Sequence, residues 1–475
     1  MKPVLVAAGV VVAVCAAYLG TSVVIGQKLE KSMRAMSAAT QAQWPTIRLT
    51  DERYDRTLFG ATHTVTLRIG CETPDAAASA PQAAVTIVQH VKIGPLPGFK
   101  GVGAATVDTD VAMDAATRKE MLRVFGTEQP FQAHTDVAFS GASHTNFSIA
   151  KFHETGPKGE QVEFQGLNGN VDQKDTVLEY DVSMPILSVA DAASSPAAMT
   201  MAIKGLHMHA RAEGTGDLAL RPSKSSGEIA AMEVAMKMPG QDAAHKVAFT
   251  QFKMTQDTTV DKNLINAVGR AEGLGQIDDL KLEKIELQAT MKRFNMVAYR
   301  DIIQRLANAD PKTCGKAPDP AKLLASEQVQ AALTQLMSAN PEISLDKLVV
   351  VVDGKRAEMA YAIGVAGFTA DDAKLPLTAG LMTRGYGNVK LKLPEDWVQK
   401  SLVYVAQQSG KDSGATDQAA FAELMLGKAV DEGYVVREDG MLRSEAAYKG
   451  GQATINGKPL GRPGGAAGNV AAAQM

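Results

Sequence analysis

Val177-Leu178-Glu179-Tyr180-Asp181-Val182-Ser183-Met184-Pro185-Ile186 decides the fold class. Apolar side chains stand at every second position: Leu178, Tyr180, Val182, Met184 and Ile186. Glu179, Asp181 and Ser183 fill the positions between. Successive side chains of a strand point to opposite faces, so this period marks a half-buried antiparallel strand with one dry and one wet face. Ala230, Met232, Val234, Met236 and Met238 repeat the pattern. So do Ile285, Leu287, Ala289 and Met291 against Lys284, Glu286, Gln288 and Thr290. Loop-like stretches rich in small residues and turn formers separate such segments at 73–82, 156–159 and 191–196. A β-rich domain over residues 46–295 follows from this.

Beyond it the period changes. Tyr299, Ile302, Ile303 and Leu306 lie at helical spacing, as do Leu324, Val329, Leu333 and Leu336 within 323–337. Residues 348–363 read as a hairpin turning at Asp353-Gly354, and Asn456-Gly457 is a second turn signal of that type. Helical patterns return at 395–408 and 416–431. An α+β domain over 296–460 results, followed by a Gly/Ala-rich tail over 461–475 that reads as disordered. The predicted fold class is α+β: an N-terminal transmembrane helix, then a long curved antiparallel sheet with helices packed in the C-terminal third.

The transmembrane helix rests on Pro3 to Ile25, an apolar run with no charge between Lys2 and Lys28. Such a run is about long enough to cross a bilayer core. Residues 1–26 therefore read as a membrane anchor, and 27–45, with Leu29, Met33 and Met36, as its juxtamembrane helix. Thr21-Ser22-Val23-Val24 is a poor cleavage site and Val14 is too bulky before Cys15 for a lipoprotein signal, which favours an uncleaved anchor over a removed signal peptide. Lys28, Lys31 and Arg34 follow the run, and a literal count of positive charge would leave the body in the cytoplasm.

The 475 residues carry 49 basic and 52 acidic side chains, a net charge of −3 that gives no sign of a nucleic-acid partner. Outside the anchor the cysteines are Cys71 and Cys314, a candidate disulfide of an oxidising compartment or two unrelated thiols. No nucleotide loop, zinc-protease helix or nucleophile elbow occurs. Gly101-Val102-Gly103 lacks the third glycine of a dinucleotide loop. His207 and His209 share a strand face and could ligate a metal, but the bland reading is two solvent-side histidines. Asp278-Asp279 and Asp371-Asp372 read as turn and surface acids. No catalytic, cofactor-binding or metal residue is assigned.

The suggestive feature is the methionine on the strand faces. Met is flexible and polarizable and suits surfaces that fit variable apolar partners. Leu178, Tyr180, Val182 and Met184, with Met232, Val234, Met236 and Met238, form the candidate apolar-ligand face; the bland reading is a core packed under helices.

Three short segments carry a family likeness: Tyr54-Asp55-Arg56-Thr57-Leu58-Phe59, Ile93-Gly94-Pro95-Leu96-Pro97, and Tyr448 to Lys458 with its Asn456-Gly457. With the apolar start, they resemble the YdgA-like proteins of Gram-negative bacteria, a family of unknown function. Ile93 stands where that family commonly has His. The resemblance implies an inner-membrane anchor with the body in the periplasm, against the charge count. It implies no catalytic residues. The long-sheet architecture is also distantly similar to AsmA-like envelope proteins, which are linked to phospholipid transport; this is an analogy of fold. The expected function is a non-enzymatic, membrane-tethered periplasmic protein whose apolar sheet face binds lipid or an envelope partner. A structural or scaffolding envelope protein is the alternative. Neither reading calls for a cofactor, and the oligomeric state is unreadable.

Overall fold

The computed structural model describes residue 34 and residues 47–57, 60–69, 83–93, 97, 102–113, 115–192, 195, 198–215, 220–238, 244–307, 326–369, 371–375, 377–408 and 415–460. The anchor and juxtamembrane stretch (bar residue 34), Cys71, Cys314 and the tail lie outside them. Among the described residues no helix is long and apolar enough to cross a membrane. They form a sheet-dominated α+β protein of 22 strands, paired antiparallel, with a few helices. They divide into two compact units. The first takes its residues from Met1–Thr258 and Arg300–Val329, the second from Thr259–Tyr299 and Gln330–Met475.

The first unit is an up-and-down meander of thirteen strands: β1 (Ile47–Arg56), β2 (Gly60–Ile69), β3 (Ala83–Ile93), β4 (Ala105–Ala112), β5 (Phe131–Val137), β6 (Ser143–Ile149), β7 (Phe152–Thr155), β8 (Gln161–Phe164), β9 (Leu167–Lys174), β10 (Val177–Ala190), β11 (Ala198–Glu213), β12 (Ser223–Lys237) and β13 (His245–Asp261). β6 with β7, and β8 with β9, are two interrupted strands of one long hairpin. Ile149 faces Leu167 on one side of the interruption and Phe152 faces Phe164 on the other. β10 then pairs along both β9 and β8.

A crease crosses this sheet. Gly166, Gly205 and Gln251 have positive φ, at 93°, 62° and 52°. The registers on either side of them align Gly166 with Pro185, Pro185 with Gly205, Gly205 with Ala230, and Ala230 with Gln251. One irregular residue in each of neighbouring strands, all in one row, reverses the alternation of every strand without breaking the ladder. On β10 the apolar positions are Leu178, Val182 and Met184 before the crease, and Leu187 after it. On β11 they are Ile203 before Gly205 and Leu206 after. All six belong to a single apolar cluster. Ile186, read from its spacing as a member of the Leu178–Met184 face, is turned to the other side, where it lies opposite Lys204. The physical reason is the crease at Pro185, where the one-to-one register with β11 is interrupted between Met184 and Ile186.

That cluster is centred on Val65, Leu67, Ile87, Phe131, Phe147, Phe152 and Phe164, with Val124 and Phe125 of α1 (Ala115–Phe125) packed on it. Phe125 and Phe152 lie with ring centroids 5.0 Å apart. Arg123 ties the same helix to Glu154 of β7 at 3.0 Å.

The second unit continues the meander idea. β14 (Leu264–Ile277), β15 (Leu280–Asn295), β16 (Glu342–Val352), β17 (Lys355–Val365), β18 (Gly385–Pro394) and β20 (Met441–Lys449) pair in succession. β19 (Val436–Glu438) and β21 (Gln452–Ile455) pair with β20, and β22 (Lys458–Pro459) pairs with β21. α4 (Leu377–Arg384), α5 (Glu395–Gln408) and α6 (Ala415–Asp431) are inserted between these strands. α2 (Met296–Ala307) and α3 (Glu327–Ser338) straddle the division between units.

Several local expectations are met. Asp353-Gly354 turns the β16–β17 hairpin with φ of 50° and 71°, the left-handed pair a two-residue I′ turn needs. No cap was read for the helix after Asn295, but Asn295 supplies one for α2: its side-chain oxygen accepts from the Ala298 amide at 3.1 Å. On β15 the charged side opposite Ile285 and Leu287 is held by Lys347 and Lys284 on Glu286, at 2.6 and 3.2 Å. Asp278 sits in the two-residue turn between β14 and β15, as read. Asp371 is exposed, as read, but Asp372 is buried and accepts hydrogen bonds from Thr369 and Arg384.

Candidate functional site

The two sequence-read strand faces end up on one side of one sheet, on either side of the crease. Leu178, Tyr180, Val182 and Met184 belong to β10; Met232, Val234 and Met236 belong to β12, and Met238 follows it. β11 joins them. Met184 faces Leu206, Val182 faces Met208, and across the crease Ile203 faces Met232, Met201 faces Val234 and Met199 faces Met236. β13 extends the rows with Phe249 opposite Met232, Val247 opposite Val234, Phe252 opposite Ile229 and Met254 opposite Gly227. One row runs unbroken through six strands: Phe152, Phe164, Leu187, Ile203, Met232, Phe249.

The face residues on β11 and β13 escaped the sequence reading. Their signal was present: Met199, Met201 and Ile203 occupy odd positions, and Leu206 and Met208 even ones, with a glycine at the switch. A reader who demands unbroken alternation discards such a segment.

Burial changes along this face. On β2 to β6 it is closed: Val65, Ile87, Val107, Thr135 and Thr145 have no exposure at all. On β11, β12 and β13 no side chain larger than alanine among the apolar residues is buried, while Met199 and Met236 are 44% exposed and Met238 is 48% exposed.

Charge is segregated just as sharply. Every Asp, Glu, Lys and Arg of β10–β13 falls, by its register, on the side opposite these apolar rows. There they pair across strands: Arg211 with Glu179 at 2.8 Å, Lys204 with Glu233 at 3.2 Å, and Lys253 with Glu228 at 3.6 Å. His207 and His209 lie on this polar side. Both lean on one carboxylate, Asp181, at 3.0 and 3.5 Å.

Further along the polar side a cleft of about 780 Å³ is lined by Lys92, Asp108, His134, Asp136, His144 and Asp172. His134 sits between Asp108 at 2.6 Å and Asp136 at 3.3 Å, and His144 lies 2.7 Å from Asp172. Burial pushes the Asp108 carboxyl up, but hydrogen bonds from His134 and Lys92 outweigh it and hold the group below its usual range. Among the described residues no group of three or more His, Cys, Asp or Glu is arranged to hold a metal ion.

Besides the Thr135–Thr145 pair, the closed part of the apolar side contains a polar line. Buried His63 lies 2.9 Å from Gln89 through Nδ1 and 2.9 Å from Glu52 through Nε2. Gln89 faces Thr109 on β4. The Gln89 Nε2 and Thr109 Oγ1 atoms have no hydrogen-bond partner.

The family-like segments act on the fold. Tyr54 packs its ring 6.0 Å from that of His63. Asn456 and Gly457, with φ of 49° and 78°, make the β21–β22 turn. The Asn456 side chain accepts from the Glu445 amide at 2.8 Å and donates to the Gly433 carbonyl at 2.9 Å. Its place in the motif is therefore accounted for by turn conformation and by two backbone anchors.

No curated protein and no solved structure matches the chain. Residues 1–461 match the family described as bacterial protein of unknown function (DUF945), and the chain belongs to that family, in keeping with its YdgA-like motifs.

Proposed function

We propose that this protein is a membrane-tethered periplasmic protein whose creased apolar sheet face takes up the acyl chains of lipid, without catalysing a reaction. Residues 3–26 would hold it in the inner membrane as a single span. The observation that carries the reading is the combination on β11–β13 of an open apolar face with the exclusion of every Asp, Glu, Lys and Arg from it. A monomeric soluble protein rarely exposes a contiguous apolar patch of this kind without a binding role. The row from Phe152 to Phe249 crosses six strands, about 24 Å at the usual strand spacing. That exceeds the roughly 15 Å depth of one leaflet of a bilayer core, so one chain could lie along it. Burial of apolar area at roughly 25 cal/mol per Å² would offset the cost of ordering the chain.

A scaffolding role in the envelope is the second reading. It draws on β2–β6, where the same side is fully buried as in an ordinary core.

Lipids that co-purify with the full chain, identified by mass spectrometry, test the proposal. Met236→Asp places a charge beside Met199 and should abolish co-purification. Lys119→Ala on exposed α1 should not. Absence of lipid from the wild type, or equal lipid in both variants, would leave the scaffold in front.

A further inference from the structure

Resting on the acyl-chain reading, we infer that the lipid taken up has an uncharged head of the diacylglycerol type. The apolar side of β10–β13 is zoned along the strands. Nearest the crease the rows are apolar, as in Met184, Leu206, Ile229, Phe252 and in Val182, Met208, Gly227, Met254. The next row is Tyr180, Ala210, Ser225, Gln256. The one after it is Leu178, Ala212, Ser223, Thr258. Both outer rows mix small or apolar residues with hydroxyls and amides, and neither contains a charge. Rows on one side are two residues apart, about 6.7 Å. A head whose tails fill the crease rows therefore falls within one or two rows of this neutral band.

The band suits a head of hydroxyl and ester groups. Tyr180, on the same side as Leu178 and Val182, is 37% exposed, an amphipathic residue that brings a hydroxyl to the edge of an apolar site. Gln256 already donates to Thr258 at 3.1 Å and keeps a second amide hydrogen and its oxygen for a ligand. Neither outer row offers a phosphate a cation to neutralise it, and His245, opposite Met236 on this side, lies across the crease from them. The cations of these strands lie on the other side, where Arg211 and Lys204 are already bound to Glu179 and Glu233. Bringing a charged head against the band without a partner is costly, whereas a hydroxyl needs one neutral hydrogen bond.

The test uses the purified full chain, incubated with vesicles holding equal amounts of diacylglycerol, phosphatidylcholine and phosphatidic acid, followed by mass spectrometry of the lipid retained. Diacylglycerol should be enriched about fivefold over both phospholipids, the factor that one net hydrogen bond supplies. Tyr180→Phe with Gln256→Leu should abolish that enrichment while total retained acyl chain stays the same. Ser225→Lys should raise the share of phosphatidic acid. Retention of the three lipids in vesicle proportion by the wild type overturns the inference and leaves the acyl-chain reading standing. Diacylglycerol enrichment that survives in the double variant also overturns it. No retained lipid of any class overturns the acyl-chain reading itself.

Discussion

Met184 and Leu187 lie three positions apart on β10, yet both pack into the same apolar cluster. In regular strand geometry an odd separation sends two side chains to opposite faces. The irregular residue at Pro185 removes that difference. The same shift recurs in the neighbouring strands, so the sheet bends along a line while its apolar side stays continuous. Without it, each strand would be apolar on one side for half its length and on the other side for the rest. No single layer could then cover the sheet.

The crease makes Gly205 sensitive to substitution. Its φ is 62°, and a Cβ built there would come within 2.8 Å of the Ala230 Cβ. Gly205→Ala should cost about 1–3 kcal/mol through the left-handed strain, more if Ala230 cannot shift. It should be read as lost hydrogen-exchange protection in β10–β12. Gly354→Ala, which meets nothing within 4 Å at a similar φ, serves as the strain-only control. Equal losses in both would mean that the close approach at the crease is unimportant.

Much of this architecture was legible in the residues. Alternation located the strands, and Asp353-Gly354 and Asn456-Gly457 named their turns, because these are local properties. Glu395 opened a helix where it was read, at the start of α5. The crease was not legible from β10 alone, because Ile186 continues the apparent alternation past Pro185. It becomes visible only when Gly166, Gly205 and Gln251 are aligned by register, which is a non-local fact. Asp372 is a similar case. Its sequence looks like a surface acid, but Arg384 arrives from the end of a helix twelve residues on. Openness of the face on β11–β13 depends on what packs above it, and periodicity carries no such information.

Two buried threonine sites should respond in opposite directions to the same substitution. Thr135 and Thr145 share a hydrogen bond of 2.9 Å with no exposure of either residue. Thr135→Val leaves Thr145 Oγ1 unpaired in the core and should cost about 1–3 kcal/mol. Thr109 Oγ1 is buried and already unpaired, so Thr109→Val removes a desolvated hydroxyl at nearly constant volume. That change should be neutral or stabilising by about 1 kcal/mol. Urea midpoints compared at equal slope measure both. A clear loss at Thr109 would indicate that its hydroxyl has a partner in solution.

Stability in acid should report on Asp372. Hydrogen bonds from Thr369 and then from Arg384 hold its carboxyl down at about 2. An unfolded aspartate titrates near about 3.9, so the unfolded chain takes up the proton first as pH falls. The contribution of this group is therefore complete above about pH 4 and is lost as pH falls toward 2. Asp372→Asn should be less stable than wild type at pH 7, with the difference narrowing between pH 4 and 2. A gap that stays constant over that range would mean that packing, and not the carboxylate, accounts for the loss.

The membrane attachment sets two sequence signals against each other. Pro3 to Ile25 is apolar enough for a span, while Lys28, Lys31 and Arg34 immediately after it would by themselves retain the body in the cytoplasm. The charge bias acts mainly on short loops, and long domains are translocated largely regardless of it. A following chain of this length should therefore be exported. Full-length protein should stay with membranes through an alkaline wash, and protease added to spheroplasts should digest its body. Removal of residues 1–26 should leave the remainder in the soluble fraction. The N-terminus of the mature protein should be Met1 or an immediate neighbour. A mature chain that begins beyond Gly20 would show that the run is cleaved as a signal, and a body protected in spheroplasts would show that Lys28, Lys31 and Arg34 prevailed.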